Sequence, residues 1–331
     1  MPGRILRHRR YGIDRQSSQK IRKLSRIDFQ GISGILTLIC RIGISAKNRF
    51  SRVPSSKTRA SWLKIPLMNR FKLGVVLETT GMRFRPALNA AARLAIHGIQ
   101  VVATGELGPE QMKGTARREF ATLLNNANLE LAALHCPLRK GLDAAENLQA
   151  RVDHLRKVMQ LAYDLGPRRV VVPFPQLPTE QTESRAALLR EVLTDLGRFG
   201  DRIGSCLALE PGLDPADKVR QYLRSFDCGS LQIAYDPANF LLNGHDPLAA
   251  LMSFQGILSV IHGRDGQRRS VSGGSAEVPL GAGEIDWLTL IATLEAVDYR
   301  GYVVVDRENG SNRWTDVTAG VAFLKRLLPM T

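Results

Sequence analysis

Four apolar runs in the C-terminal part of the chain each end in a side chain able to hold a metal ion. Leu207-Ala208-Leu209 runs into Glu210, and Leu231-Gln232-Ile233-Ala234-Tyr235 runs into Asp236. Ile257-Leu258-Ser259-Val260-Ile261 runs into His262, and Tyr302-Val303-Val304-Val305 runs into Asp306. The step from Glu210 to Asp236 and the step from Asp236 to His262 are both 26 residues, about the length of one strand–helix unit. Carboxylates and an imidazole are hard-to-borderline donors, a set that suits Mn²⁺, Mg²⁺, Zn²⁺ or Co²⁺. Such residues meet only if something brings the ends of separate strands to one place. A barrel of parallel strands does so, because the C-terminal ends of its strands converge on one face.

The rest of the chain supplies the elements for that arrangement. From Phe71 onward, short apolar runs alternate with amphipathic segments. Strands are predicted at 72–77, 98–103, 129–135, 169–174, 206–210, 231–236, 257–262 and 301–306. Helices are predicted at 86–97, 109–126, 144–165, 179–199, 215–226, 247–253, 287–297 and 314–328. Asp246 before Pro247 and Asp286 before Trp287 read as helix N-caps. Parallel strands with helical crossovers need both sheet faces covered. Eight such units in this length fit a closed (β/α)8 barrel better than an open doubly wound sheet. No G-x-G-x-x-G follows the first strand, which argues against a dinucleotide site.

Hydrophobic residues make up 44% of the chain and charged ones 23%, the balance of a soluble globular protein. The net charge of +15 is local: residues 1–70 hold 17 Lys and Arg against Asp14 and Asp28, and the remainder balances to zero. The basicity therefore belongs to an extension and gives the barrel no grip on a nucleic acid backbone. We expect residues 1–67 to be a disordered basic extension, or a stretch translated from a start upstream of Met68, with residues 68–331 forming the barrel domain. An organelle transit segment or a nucleic-acid-binding arm is the alternative for the extension. Its one apolar patch, 29–45, is interrupted by Arg41 and is too short to span a bilayer, so no membrane association is expected. Cys40, Cys136, Cys206 and Cys228 are widely spaced, which fits a reducing, cytoplasmic compartment.

The second half also carries a resemblance. Glu210-Pro211, Tyr235-Asp236-Pro237-Ala238-Asn239 and Asn243-Gly244-His245-Asp246-Pro247 resemble the sugar phosphate isomerase/epimerase family, xylose isomerase-like TIM barrels. So do Pro279-Leu280-Gly281-Ala282-Gly283-Glu284-Ile285-Asp286-Trp287 and Asp306-Arg307-Glu308. The resemblance spans about residues 70–328 and implies one divalent metal held by Glu210, Asp236, His262 and Asp306, with no organic cofactor. It departs from the family in three ways. The last ligand is usually Glu, so Glu308 competes with Asp306 for the role; it shares a strand face with Asp306 if the strand continues. Asn239 stands where ketose epimerases often have a His, and Arg264 stands where a Lys is commoner.

The resemblance implies a sugar or sugar-like polyol isomerase or epimerase, either a sugar epimerase or an aldose–ketose isomerase. Carboxylates would move a proton next to a carbonyl, with the metal stabilising the enediolate. Glu210 with Asp306 or Glu308 would flank the substrate, and His135, Asn239 and Arg264 would bind it. Glu78, His245, Arg307 and Arg313 are weaker candidates, for which a loop acid, a turn residue and salt-bridging arginines are the plainer expectations. The alternatives are an inosose-type dehydratase and a non-catalytic sugar-binding descendant of the fold. An endonuclease IV-like nuclease is disfavoured, because that chemistry uses many histidines and this chain has six, one of them His8 in the extension. Family members are often dimers or tetramers, so a homo-oligomer is compatible with the resemblance.

Overall fold

Each apolar run predicted as a strand forms one, with boundaries that differ by at most one residue at either end. The structure, a computed structural model, describes residues 71–179, 182–268 and 274–328; the expectations for residues 1–67 lie outside these. The barrel strands are β1 (Lys72–Val76), β2 (Gly98–Val102), β3 (Glu130–His135), β4 (Arg169–Pro173), β5 (Cys206–Glu210), β6 (Leu231–Tyr235) and β7 (Leu258–Gly263). After β7, a two-stranded antiparallel excursion, β8 (Asp265–Gln267) with β9 (Ala276–Val278), precedes the last barrel strand, β10 (Tyr302–Val305). Around the closed barrel the order is β1-β10-β7-β6-β5-β4-β3-β2, every pair parallel.

The helices are α1 (Phe84–Ala92), α2 (Thr115–Asn126), α3 (Leu148–Leu165), α4 (Glu183–Ile203), α5 (Ala216–Leu223), α6 (Pro237–Leu242), α7 (Pro247–Ser253), α8 (Trp287–Ala296) and α9 (Arg313–Leu327). Asp246 and Asp286 cap as expected. The Asp246 carboxylate accepts from the Leu248 and Ala249 backbone N–H groups, and that of Asp286 from the Thr289 N–H. Helix α6 and the β8–β9 pair were not anticipated: six residues are too few for a 3.6-residue period to emerge, and three-residue strands show no alternation.

Strand parity divides the core in two. Val76, Ala132, Ala133, Val171, Ala208, Ala234, Val260, Tyr302 and Val304 form one apolar cluster, which fills the lumen. Their neighbours, such as Val75, Ile99, Leu134, Val172, Leu209 and Ile261, belong to the larger cluster beneath the helices. Burying each Val, Leu or Ile contributes about 1.5–3 kcal/mol, which is why nearly continuous apolar runs are stable here and nowhere on a half-solvated sheet. The filling is tight. A Cβ on Gly98 would stand 2.8 Å from Tyr302 Cε1 and 2.9 Å from the Glu130 carbonyl oxygen, so the Tyr302 ring takes the space of the missing side chain. Two register slips interrupt the pairing, one between β2 and β3 at Ile99/Gln100 and one between β6 and β7 at Ile233/Ala234.

Candidate metal centre

Glu210 is the last residue of β5, Asp236 directly follows β6, and His262 lies near the end of β7. Their ligand atoms lie within 4.8 Å of one another, and among the described residues they form a group able to hold a metal ion. His262 Nδ1 donates to Glu210 Oε1 at 2.6 Å, and His262 Nε2 lies 3.2 Å from Gln100 Oε1. Asp236 does two things at once. Its Oδ1 caps α6, accepting from the Ala238 N–H at 2.8 Å and the Asn239 N–H at 3.2 Å, while Oδ2 accepts from Arg264 Nη1 at 2.5 Å. Helix capping and placement at the centre are thus the same local geometry. The turn is held from outside by Tyr235, whose hydroxyl donates to the Pro247 carbonyl at 2.6 Å and whose ring stacks on Phe240. On the other side Gly212 lets the loop after β5 close on Asn239, since a Cβ there would stand 2.6 Å from Asn239 Cβ.

The remaining candidates take up positions around this group. Strand β10 ends at Val305, so strand parity does not extend to Glu308. Asp306 Oδ1 accepts from Thr79 Oγ1 at 3.1 Å and from the Arg307 N–H at 2.7 Å. Asp306 and Glu308 both lie outside the three-residue group. Glu308 Oε2 accepts from Arg264 Nη2 at 3.0 Å. Arg264 is only 3% exposed, and its guanidinium also reaches Asn239 Oδ1 at 3.2 Å and Glu277 Oε1 at 3.3 Å, so protein acceptors already engage it. Arg307 pairs with Asp316 at 3.0 Å and lies 3.6 Å from Glu277, the salt-bridging role expected of it. His135 Nε2 is buried without a hydrogen-bond partner, which leaves it available to a bound hydroxyl. Glu78 accepts from the Val102 N–H at 2.6 Å, and His245 packs on Phe240 in the turn before Asp246.

Gln100, Glu277, Thr79 and Asp265 escaped the sequence reading. Glu277, on β9, accepts from Arg264 and from the backbone N–H groups of Glu308 and Asn309, and so ties the loop after β10 to the excursion after β7. The buried Asp265 accepts from the backbone N–H groups of Gly266, Gly281, Gly283 and Ile285. The Pro279–Trp287 motif is in this light a loop wound around one carboxylate, and its glycines are needed for the approach: a Cβ on Gly283 would meet Asp265 Oδ1 at 2.0 Å. A polar residue inside the apolar run 98–103 was the one available signal for Gln100. Nothing local marks Glu277.

Electrostatics follow from the packing. Burial would raise the Glu210 carboxyl, but the charge and hydrogen bond of His262, aided by His135 and Arg264, hold it at about 2. Burial would lower His262, but Glu210, Asp236 and Asp306 outweigh that and raise it to about 9. Burial lowers His135 against the opposing pull of Glu210 and Asp306. Burial, with Asp306, Asp236 and Glu210 nearby, lifts Glu308 to about 7 against the pull of Arg264. Carboxylates thus outnumber cations at this end of the barrel. With two carboxylates and an imidazole gathered and buried, the donor set fits a divalent cation.

The Glu210–His262 pair makes metal-free stability depend on pH in both directions. Glu210 is depressed from 4.5 to about 2, so its contribution is present above pH 4.5 and is lost as pH falls towards 2. His262 is raised from 6.5 to about 9, so the same interaction is present below pH 6.5 and is lost as pH rises through 9. The expected loss at either extreme is on the order of 3 kcal/mol. Urea melts of metal-free protein should therefore show greatest stability between roughly pH 4.5 and 6.5, and a His262→Gln variant should lose the alkaline limb. An alkaline limb that persists in that variant would assign it to other groups.

Comparison with known proteins agrees with the barrel fold. The profile of the xylose isomerase-like TIM barrel family matches residues 88–327. Among the curated proteins, none matches the chain by sequence. Of the solved structures, a xylose isomerase domain protein from Planctomyces limnophilus superposes with a TM-score of 0.66 at 22% identity, over 72% of this chain and 91% of its own. A D-tagatose 3-epimerase-like protein gives 0.64 at 16% identity, over 78% and 97%. A mannonate dehydratase from Streptococcus suis serotype 2 gives 0.63 at 14% identity, over 78% and 93%. Among the described residues, no helix is long and apolar enough to cross a membrane. With its closed eight-stranded barrel and a family match over most of its length, this chain belongs to the xylose isomerase-like TIM barrels.

Proposed function

We propose that the protein is a divalent-metal-dependent isomerase or epimerase acting on a sugar or sugar-like polyol. The observation that carries the reading is the convergence of Glu210, Asp236 and His262 from three successive strand ends. Glu210, Asp236 and His262 would hold Mn²⁺, Mg²⁺, Co²⁺ or Zn²⁺, with Asp306 the candidate fourth ligand. A cation bound there supplies Lewis-acid polarisation of the substrate's carbonyl and hydroxyl oxygens.

The chain's own residues do the rest. Glu210, kept ionised by His262, takes the proton from the carbon next to the carbonyl. Glu308, lifted to about 7, can both give and take a proton near neutrality, as a reversible transfer on the opposite side requires. His135, whose buried Nε2 has no hydrogen-bond partner in the protein, accepts from or donates to a substrate hydroxyl. Arg264 orients Asp236 and Glu308 together and is spent on them, which favours an uncharged polyol over a phosphorylated one.

A dehydratase is the second reading, favoured by the mannonate dehydratase neighbour and by the fact that both reactions begin with proton abstraction. To test both, protein supplied with each cation is incubated with ketoses and inososes in D₂O and followed by NMR. Deuterium at the carbon beside the carbonyl with retention of all hydroxyls is the expected result. Exchange accompanied by loss of water would select the dehydratase, and no turnover of either kind across the panel would reject both.

A further inference from the structure

We propose that the N-terminal mouth of the barrel, opposite the metal centre, carries a second binding site, built on Arg169, for a small oxyanion such as phosphate or a carboxylate. The inference stands apart from the metal-centre reading.

Arg169 is the first residue of β4, and Glu210 is the last of β5. The strands pair Arg169 with Cys206 and Pro173 with Glu210, so the two places are four residues apart along the sheet. That is about 13 Å at 3.3 Å per residue. Val171, Ala208, Ala234, Val260 and Val304 fill the lumen between them, so a molecule at one mouth does not touch the other. By strand parity Arg169 stands on the same lumen side as Val171.

Arg169 carries an unpaired charge. Its Nη1 is buried without a hydrogen-bond partner, and among the described residues the guanidinium makes no hydrogen bond or ion pair. Such a donor costs free energy unless something accepts from it. The guanidinium is held in place over the Tyr302 ring, with Cζ 5.9 Å from the centroid. Glu130 does not neutralise it, because that carboxylate accepts from Lys72 Nζ at 2.6 Å and from the Tyr302 hydroxyl. The acidic groups that do feel Arg169 stay neutral. Burial pushes up the Cys206 thiol and the Tyr299 and Tyr302 phenols, with Glu130 adding to the effect on Tyr302. The C-termini of α3 and α4 at this mouth favour a cation, but Nη1 bonds to none of their carbonyls.

There is room for the missing acceptor. Arg169 and Gln232 are shared walls of two clefts, one of about 650 Å³ beside Ser205 and Gly229, the other of about 330 Å³ beside Ser259 and Tyr299. Both lie within the range of small-molecule sites, roughly 300–1,000 Å³. The Gln232 side-chain amide has no hydrogen-bond partner among the described residues, so its N–H groups are available beside the guanidinium. The carboxylates on the walls are engaged: Asp201 accepts from the Gly229 and Ser230 N–H groups, and Asp298 holds Arg300. A planar guanidinium meets an oxyanion with two parallel N–H···O bonds, and the amide adds a further donor.

The full chain is tested in Tris chloride at fixed ionic strength, with phosphate or acetate replacing chloride. Wild type is compared with Arg169→Met, which keeps the packing stem, and Arg169→Lys, which keeps the charge without the fork. The first readout is the Arg169 Nε–H signal by NMR, assigned by its absence from the variants. It should shift saturably with phosphate, acetate or both, and the anion that moves it names the class. The second readout is thermal melting, in which that anion should raise the Tm of wild type more than that of Arg169→Met. Phosphate also reaches the basic residues 1–70 and stabilises folded proteins generally, effects the variants share, so the difference is what counts. Apparent affinity should fall at least about 10-fold in Arg169→Met, with Arg169→Lys between the two. An Nε–H signal that neither anion moves, or equal melting shifts in wild type and Arg169→Met, overturns the proposal. Should Arg169→Met fail to fold, Arg169→Lys assigns the signal, and binding there as tight as in wild type overturns the proposal.

Discussion

Glu210→Gln is expected to lower solvent-deuterium exchange into substrate by about 10³-fold, within the range removed with a general base. The substitution is close to isosteric and Gln Oε1 can still accept from His262 Nδ1, so the barrel should fold. What disappears is the negative charge. That charge is the proton acceptor in the proposed reaction and one of three gathered metal ligands, and it is what holds His262 protonated to about pH 9 in metal-free protein. Three measurements should therefore move together. Exchange is nearly abolished, Mn²⁺ affinity falls, and the His262 midpoint, followed by NMR, drops towards that of an ordinary imidazole. If the His262 midpoint falls while exchange survives, Glu210 is a structural partner of the imidazole and the acid–base assignment moves to Glu308.

The second large effect is on stability. Arg264→Met in metal-free protein should cost about 3–5 kcal/mol, the usual result of removing one partner from a buried ionic network. Arg264 contacts Asp236, Glu277 and Glu308, and the Asp236 and Glu277 side chains are almost fully buried. Without the guanidinium, Asp236 is left with the His262 imidazolium, within 4.8 Å and shared with Glu210, and Glu277 with Arg307 at 3.6 Å. For a barrel of this size the corresponding drop in Tm is on the order of 10 °C. Added divalent cation should restore part of the loss, since it would neutralise Asp236. Arg264→Lys should fall between wild type and Met, because one ammonium cannot reach Asp236 Oδ2, Glu277 Oε1 and Glu308 Oε2 in the planar fork that Arg provides. A Met variant as stable as wild type would mean that the network gives no net stabilisation and serves only to position Asp236 and Glu308.

The barrel strands were legible because a parallel strand buried on both faces must be apolar at nearly every position. The runs ending in Glu210, Asp236 and His262 therefore announced both the strand and the candidate ligand at its tip. Helix starts were less legible. The second helix was expected from residue 109 and begins at Thr115, after Gly114 turns the chain at φ +45°, and the third was expected from 144 and begins at Leu148. The segments before them are polar or mixed, and their conformation is set by what they pack against. Arg264 was read as a substrate-binding residue because it follows the strand that ends in His262. Its partners lie 28 residues before it at Asp236, 13 after it at Glu277 and 44 after it at Glu308.

From the sequence alone came the barrel, the strand ends on which Glu210, Asp236 and His262 stand, and the confinement of excess positive charge to residues 1–70. These are properties of periodicity and composition, which each segment carries in itself. Only the tertiary structure decided that Gln100 meets His262 across 162 residues, that Glu277 clamps Arg264, and that Asp306 is held by Thr79 while Glu308 faces Arg264. Those contacts join strands and loops that are remote in the chain, and barrel closure together with the register of its strands sets which side chains meet across the lumen.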